Sequence, residues 1–177
     1  MKNNIARNTL KLALIAGIAS VAALDATTAL AATDTHNLAV GATIANSCTI
    51  GTTPLAFGTY DGVGANATTD LDVASKVTVT CTLAGADVAV TLGQGLNPTG
   101  ASTDAAPARR MIDGGGNLMT YSIFSNPGRT TNWDNITGLA STPTGSAVDV
   151  PIYGRVNQGQ TLPAGTYADT VVATVTF

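Results

Sequence analysis

Short runs in which apolar and polar residues alternate, separated by turn-forming residues, constrain the fold of this chain most strongly. Side chains alternate across a β-strand with a period of two, so such a run presents one apolar face. Residues 76–83 are the clearest case, because every second side chain is apolar. Those side chains are Val77, Val79, Cys81 and Leu83. The pattern predicts a strand with one buried face.

The same reading predicts a series of further strands with turn residues between them. They are expected at residues 54–60, 87–92, 109–112, 118–124, 148–156 and 166–177. Gly85-Ala86 is short enough for a hairpin turn. Pro151 predicts that its strand lies at a sheet edge or is broken there, and residues 127–145 read as irregular. Strands at this spacing indicate one all-β domain, an antiparallel sandwich.

The N-terminus is typical of an export signal. Lys2, Arg7 and Lys11 precede an apolar stretch at residues 12–24, and small residues end the segment. We expect residues 1–31 to be a signal peptide, cleaved after Ala31 or Ala32. About 145 residues would remain, a normal size for one domain.

Charge and cysteine content narrow the class of protein further. Without the signal the chain has five basic residues against ten Asp and no Glu, a net charge near −5. This balance argues against binding to nucleic acid or anionic membranes. The two cysteines of an exported chain, Cys48 and Cys81, predict one disulfide. Closing that loop would stabilise the fold by about 4 kcal/mol in the chain-entropy model.

One alternating segment follows directly after the predicted signal, at residues 37–44. Its apolar face carries Leu38, Val40, Ala42 and Ile44. A strand beside a free terminus is the segment that is donated most easily to another molecule. The position of this segment therefore favours a role in assembly.

Residues for catalysis or cofactor binding are sparse. The only histidine, His36, is two residues from Asp34 and close to the N-terminus that cleavage of the signal would create. A solvated side chain is the simpler interpretation there. Asp70 with Asp72 resembles only a fragment of a calcium loop, and the glycine run 114–116 lacks the Lys-Ser/Thr of a phosphate loop. We expect no catalytic set, no metal site and no cofactor.

Several stretches resemble the spore coat protein U domain family, which occurs in subunits of archaic (Csu-type) chaperone–usher pili. They are residues 44–50 around Cys48, 55–61, 77–82 around Cys81, 153–156 and 164–171. In order and spacing they span nearly the whole chain after the signal. Weaker similarity occurs at residues 110–111 and 118–123.

The resemblance implies an immunoglobulin-like sandwich that lacks its last strand and has an open apolar groove. Residues 32–45 would be the donor-strand segment and residues 46–177 the pilin domain. Leu38, Val40, Ala42 and Ile44 would fill the groove of another subunit by β-strand addition. The C-terminal strand would line the groove through Val171, Ala173, Val175 and Phe177.

The implied partners are other pilin subunits, a periplasmic chaperone and an outer-membrane usher. The chain would pass through the periplasm to a surface fibre that serves adhesion or biofilm formation. Two other interpretations stay open from the sequence. One is a secreted module that binds carbohydrate or another surface, or a coat protein; the other is an enzyme.

Overall fold

A computed structural model describes residues 31–82, 85 and 87–177. The predicted signal, apart from Ala31, lies outside the described residues, as do Leu83 and Ala86 of the predicted strand end and turn. The contacts within the chain separate two units between Gly41 and Ala42, and each unit is described by itself.

The second unit is built from eight strands, all paired antiparallel. In chain order they are β1 (Cys48–Thr52), β2 (Leu71–Cys81), β3 (Val88–Leu92), β4 (Arg109–Ile112), β5 (Leu118–Phe124), β6 (Leu139–Ser141), β7 (Val148–Val156) and β8 (Ala173–Thr176). One 3-10 turn, Ala65–Ala67, is the helical element of the described residues. The predicted all-β class is confirmed.

The strands form two sheets around one apolar core. The five-stranded sheet has the order β1-β2-β7-β5-β4, and the three-stranded sheet has the order β6-β3-β8. Alternation decides which side chains enter the core: Val77, Val79 and Cys81 of β2 are buried, and the residues between them are not. Val88, Val90 and Leu92 of β3 are buried as well, and so is Thr91 between the last two.

Several sequence expectations about the elements are wrong. Residues 54–60 are not a strand, residues 127–145 contain β6, and the last strand is shorter than residues 166–177. β7 is neither broken at Pro151 nor a sheet edge, since it pairs with β2 and β5. β5 pairs only with Tyr153–Arg155 of β7, however, so the ladder on that side stops before the proline.

The backbone of Pro151 faces away from β2. Its partner Lys76 accepts the Thr53 N–H on the opposite side, from the chain that continues β1. Because the backbone groups of one residue point to one side of a strand, Lys76 and Pro151 are a non-hydrogen-bonded pair. The missing N–H of proline therefore costs no ladder hydrogen bond here.

Trp133 and Arg109 close part of the space between the two sheets, and both side chains are 1% exposed. The Trp133 indole Nε1 donates to the Val90 carbonyl at 2.9 Å. Arg109 Nη2 donates to the Leu92 and Trp133 carbonyls, and its Nε donates to the Gly93 carbonyl. We call Arg109, Trp133 and these carbonyls the sealed region. It joins β4 and the end of β5 to β3.

Burial lowers the pKa of Arg109, but an arginine keeps its charge in proteins. Its donated bonds go to the Leu92 and Gly93 carbonyls at the end of β3 and to the Trp133 carbonyl in the loop after β5. Its Nη1 has no partner in the structure. The sequence interpretation counted Arg109 among scattered basic residues, and its burial is a finding of the structure.

Candidate functional site

An open apolar groove of about 970 Å³ lies beside β8. Its floor is made by inward-facing side chains of several strands, which include Val77, Met111, Met119, Tyr121 and Ile152. Two irregular segments form its walls, residues 52–63 and residues 160–171. The groove lies wholly within the second unit.

The first wall leaves the sheet at Pro54. The β1–β2 ladder continues to the Thr53 N–H, which donates to the Lys76 carbonyl at 3.0 Å. The hydroxyl of Ser75 then donates to the Thr53 and Pro54 carbonyls at 2.9 and 3.1 Å. Proline has no N–H to continue the ladder. The apolar residues of the alternating segment 54–60 pack against the core, but the segment does not pair as a strand.

Leu55 and Phe57 of this wall pack against the core. A Cβ on Gly154 would lie 2.8 Å from both Leu55 Cδ2 and Phe57 Cζ, so the glycine makes room for the wall. The Phe57 ring meets the Tyr121 ring edge-on at 6.0 Å between centroids. The sequence interpretation placed Leu55 and Phe57 on one face correctly, although they do not belong to a strand.

Hydrogen bonds join the end of the first wall to the start of the second. The Tyr60 hydroxyl donates to the Asn157 carbonyl and accepts the Gln160 N–H, both at 2.9 Å. The Gln160 side chain in turn accepts the Thr120 N–H at 2.8 Å. Tyr60 and Gln160 therefore hold the two walls to the β5 and β7 ends.

The second wall crosses from one sheet to the other. Ala168 exchanges two backbone hydrogen bonds with Ile112 of β4, and the chain then continues into β8 of the other sheet. Asp169 fixes the crossing point, because its carboxylate accepts the Tyr121 hydroxyl at 2.7 Å and the Leu96 N–H at 2.8 Å. Burial, and then the bond to Asp169, raises the pKa of Tyr121 well above its usual range. Tyr121 is therefore protonated and donates.

β8 has an open edge next to the groove. In the part of the chain that the structure describes, β8 pairs with β3 alone. The Gly93 N–H donates to the Val172 carbonyl, so Val172, Thr174 and Thr176 direct their backbone groups to β3. The backbone groups of the alternate residues, Val171, Ala173 and Val175, face the open edge.

The predicted residues of the last strand fall into two groups. Val171, Ala173 and Val175 pack against the core, and Val171 and Ala173 line the groove. Phe177 is 58% exposed. The inward face is therefore the one that carries the first three residues.

The four predicted donor residues carry exposed side chains, and the structure assigns no strand to residues 31–44. Leu38 and Val40 are each 87% exposed and Ile44 is 85% exposed. Within the first unit the His36 ring lies 3.4 Å from the Asp34 carboxylate, and both side chains are 89% exposed. Three large apolar side chains at this exposure, in one alternating segment, are unusual for a soluble chain.

The predicted disulfide is confirmed. Cys48 and Cys81 are bonded, and they are directly paired residues of β1 and β2. The bond ties β1, the strand that leads into the first wall, to its neighbour β2 in the five-stranded sheet.

The carboxylates singled out in the sequence have protein partners. Asp72 accepts two bonds from Arg155 at 2.8 Å, and Asp70 lies 3.2 Å from the same guanidinium. The Arg155 bond lowers the pKa of Asp72. Asp113 accepts the Gly115 and Asn117 N–H groups of its own loop. Among the described residues, no group of three or more His, Cys, Asp or Glu could hold a metal ion.

The outer face of the five-stranded sheet carries a network of ion pairs. Besides the Arg155 pairs, Lys76 binds Asp149 at 2.6 Å and Arg129 lies 3.4 Å from Asp72. Arg110 donates to the Asn97 and Pro98 carbonyls. The basic residues of the described chain are thus bound by its own carboxylates and carbonyls. No helix in the described residues has the length and hydropathy needed to cross a bilayer.

Residues 34–174 match the family model described as Spore Coat Protein U domain. Protein U of Myxococcus xanthus is 40% identical over 179 residues, which cover 96% of this chain and 99% of that protein. The family match spans both walls of the groove and the first two residues of β8.

A solved structure shares the fold. It is the chaperone–tip adhesion subunit pre-assembly complex CsuC–CsuE, from the archaic chaperone–usher Csu pili of Acinetobacter baumannii. The TM-score is 0.54 and the identity 23%, over 76% of this chain. The match covers 40% of the length of that chain. The predicted immunoglobulin-like, pilin-type sandwich is confirmed by this likeness.

Proposed function

The chain belongs to the Spore Coat Protein U domain family, and from this premise we propose that it is an exported, pilin-like structural subunit. Subunits would join head to tail when residues 37–44 of one copy enter the groove of the next. The single observation that carries the proposal is the groove itself, which lies beside an unpaired strand edge in a chain that also exposes an alternating apolar segment.

The groove and the segment match in chemistry. The floor is apolar, and the open edge of β8 offers the backbone groups of Val171, Ala173 and Val175. An added strand would satisfy these groups and place every second side chain on the floor. Burying Leu38, Val40 and Ile44 would contribute about 1.5–3 kcal/mol each. Ala42, the smallest of the four, would fill the shallowest position.

The mode of joining would produce a fibre. The donated segment and the groove are different surfaces of one chain, so each contact leaves another groove and another segment free. An unfilled groove with an open edge promotes aggregation. We therefore propose that a periplasmic chaperone covers the groove before an outer-membrane usher exchanges it for the next subunit. The fibre would serve surface adhesion or biofilm formation.

The test uses the two faces of the donor segment in the mature chain. Val40→Asp places a charge on the face proposed to enter the groove, and Thr43→Asp places the same charge on the opposite face. We expect Val40→Asp to reduce fibre formation by more than about tenfold, because an unpaired charge is costly to bury. Thr43→Asp should polymerise nearly as the unaltered chain does.

Fibres are measured by sedimentation and electron microscopy, and circular dichroism checks that both variants are folded. Deletion of residues 33–44 should leave a folded subunit that still accepts a synthetic peptide of residues 33–46. Equal polymerisation of the two Asp variants, or full-length fibres from the deletion, would contradict the proposal.

A further inference from the structure

The two methionines that follow the predicted signal lie together in the groove. The chain contains three methionines, and the third is Met1. Met111 of β4 and Met119 of β5 are directly paired residues, and both line the groove. Paired residues on one face have Cβ atoms about 5 Å apart. All the thioether sulfur outside the signal is thus concentrated at the surface proposed to receive another segment.

We propose that Met111 and Met119 form an oxidation site, at which a peroxide converts the thioethers to sulfoxides and blocks the entry of an apolar segment. The proposal rests on the proposed function for its consequence. The site itself rests on the geometry of the groove alone.

Access differs between the two side chains. Met119 is 7% exposed, whereas Met111 is half-buried and packs at the margin of the core. The groove, at about 970 Å³, is many times the roughly 30 Å³ that one water occupies in the liquid. A small peroxide can therefore reach its floor from solvent. Met111 should react first and Met119 more slowly.

The chemistry balances with hydrogen peroxide or an alkyl peroxide as the oxidant. A sulfur lone pair attacks one peroxide oxygen, the O–O bond breaks and an S–O bond forms. Sulfur loses two electrons, and the peroxide is reduced to water or an alcohol. The product is polar and chiral, and methionine sulfoxide reductases can reverse it.

The sulfoxide would hinder assembly because it is polar. An S–O group on the groove floor would have to be desolvated, without a hydrogen-bond partner, under an apolar donor segment. A filled groove would in turn shield both sulfur atoms. Oxidation would therefore select against unassembled subunits and spare those already in a fibre.

The test uses the mature chain with Val40→Asp, whose own segment should leave the grooves of other copies open. Its oxidation by hydrogen peroxide is measured with and without a synthetic peptide of residues 33–46. Peptide mapping by mass spectrometry reports each methionine separately. We expect Met111 to oxidise faster than Met119 and the peptide to slow both by at least about fivefold. A peptide carrying Val40→Asp is the control and should protect neither.

Variants separate sulfur chemistry from damage to the fold. After peroxide treatment the Val40→Asp chain should bind the peptide at least about tenfold more weakly, a change of about 1.4 kcal/mol. The methionine variants are made in the same chain. A chain with Met111→Leu and Met119→Leu should keep its affinity, since leucine is of similar volume and is not oxidised. Met111→Gln should bind weakly without any peroxide.

Each outcome decides a part of the proposal. Protection of both methionines in the folded chain without peptide would overturn the oxidation site. Oxidation that leaves peptide affinity unchanged would overturn the block to entry. If the peptide fails to bind a chain whose methionines are not oxidised, both the proposed function and the proposed block to segment entry would be overturned. Peptide mapping after peroxide alone would still decide whether Met111 and Met119 are an oxidation site.

Discussion

The sealed region and the groove lie between the same two sheets, and they differ in what fills the space. Around Trp133 the chain supplies a large ring and a guanidinium, and their polar atoms reach carbonyls of β3 and its end. Along the groove the side chains of the walls, such as Leu55 and Phe57, are only partly buried, and β8 keeps an open edge. One region is completed by the chain itself, and in the other a strand edge has no partner among the described residues. The difference teaches that the opening is local and does not reflect a loosely packed core.

The largest effect is expected in the sealed region. Arg109→Met keeps much of the side-chain volume but removes donors from the Leu92, Gly93 and Trp133 carbonyls. Unpaired buried acceptors cost about 1–3 kcal/mol each, so we expect a loss of about 4 kcal/mol. The free energy of unfolding in urea measures it. The control Arg110→Met, in a part-buried side chain, should lose about 1 kcal/mol; equal losses would break the comparison.

A smaller loss is expected where the disulfide holds the strand before the first groove wall. Replacing Cys48 and Cys81 together by Ser should lower the free energy of unfolding by about 3 kcal/mol, because the unfolded chain gains freedom. Urea unfolding of the double variant measures the change, and the reduced unaltered chain is its control. A loss below about 1 kcal/mol would mean that the ladder alone fixes β1.

Tyr121→Phe tests whether the second groove wall is held by a polar bond. Asp169 would keep the Leu96 N–H but lose the hydroxyl donor. We expect a loss of about 1–2 kcal/mol in thermal or urea unfolding. Tyr153→Phe is the matched control, since the Tyr153 ring faces Arg129 on the outer surface, and it should change stability by less than about 0.5 kcal/mol. Similar losses in both would contradict the role given to Asp169.

The smallest effect is a pH dependence in the loop that follows Trp133. The Gly138, Ile136 and Thr137 N–H groups hold the pKa of Asp134 below its usual range. A lowered folded pKa means that the ionised form stabilises the fold above the ordinary value of about 4 and that this is lost as the pH falls through the folded pKa.

Asp134→Asn keeps an acceptor oxygen but cannot titrate. The loss of melting temperature between pH 7 and pH 3 should therefore be slightly smaller in this variant than in the unaltered chain. Identical pH profiles would show that the loop does not depend on the ionised carboxylate.

Local sequence patterns predicted the paired strands well where a strand has one buried and one more exposed face, because such a strand shows alternating apolar and polar residues. The bounds expected for β4, β5 and β7 agree with the structure. Residues 54–60 alternate equally well and pair with nothing as a strand, because alternation reports a buried face and not a hydrogen-bonded neighbour. β6 has only three residues, too few to show a period.

The candidate site also has residues that the sequence could identify and features that it could not. Donor residues Leu38, Val40, Ala42 and Ile44 could be named from spacing and family resemblance, and their role stays a prediction. The facing of Val171, Ala173 and Val175 into the molecule could not, because alternation separates two faces of a strand without showing which of them meets the core. Pairing with β3 through Val172 fixes it.

The sequence by itself determined the all-β class, the single disulfide and the alternating segment, since each depends on residues close in the chain or on the only available partner. Tertiary structure alone decided that Arg109 is buried, that Met111 meets Met119 and that a groove stays open beside β8. The contacts of Arg109 and the groove join residues far apart in sequence, and they depend on which carbonyls and strand edges are left unpaired once the sheets have formed. Met111 and Met119 are only eight residues apart, but their pairing depends on the register of the β4–β5 hairpin.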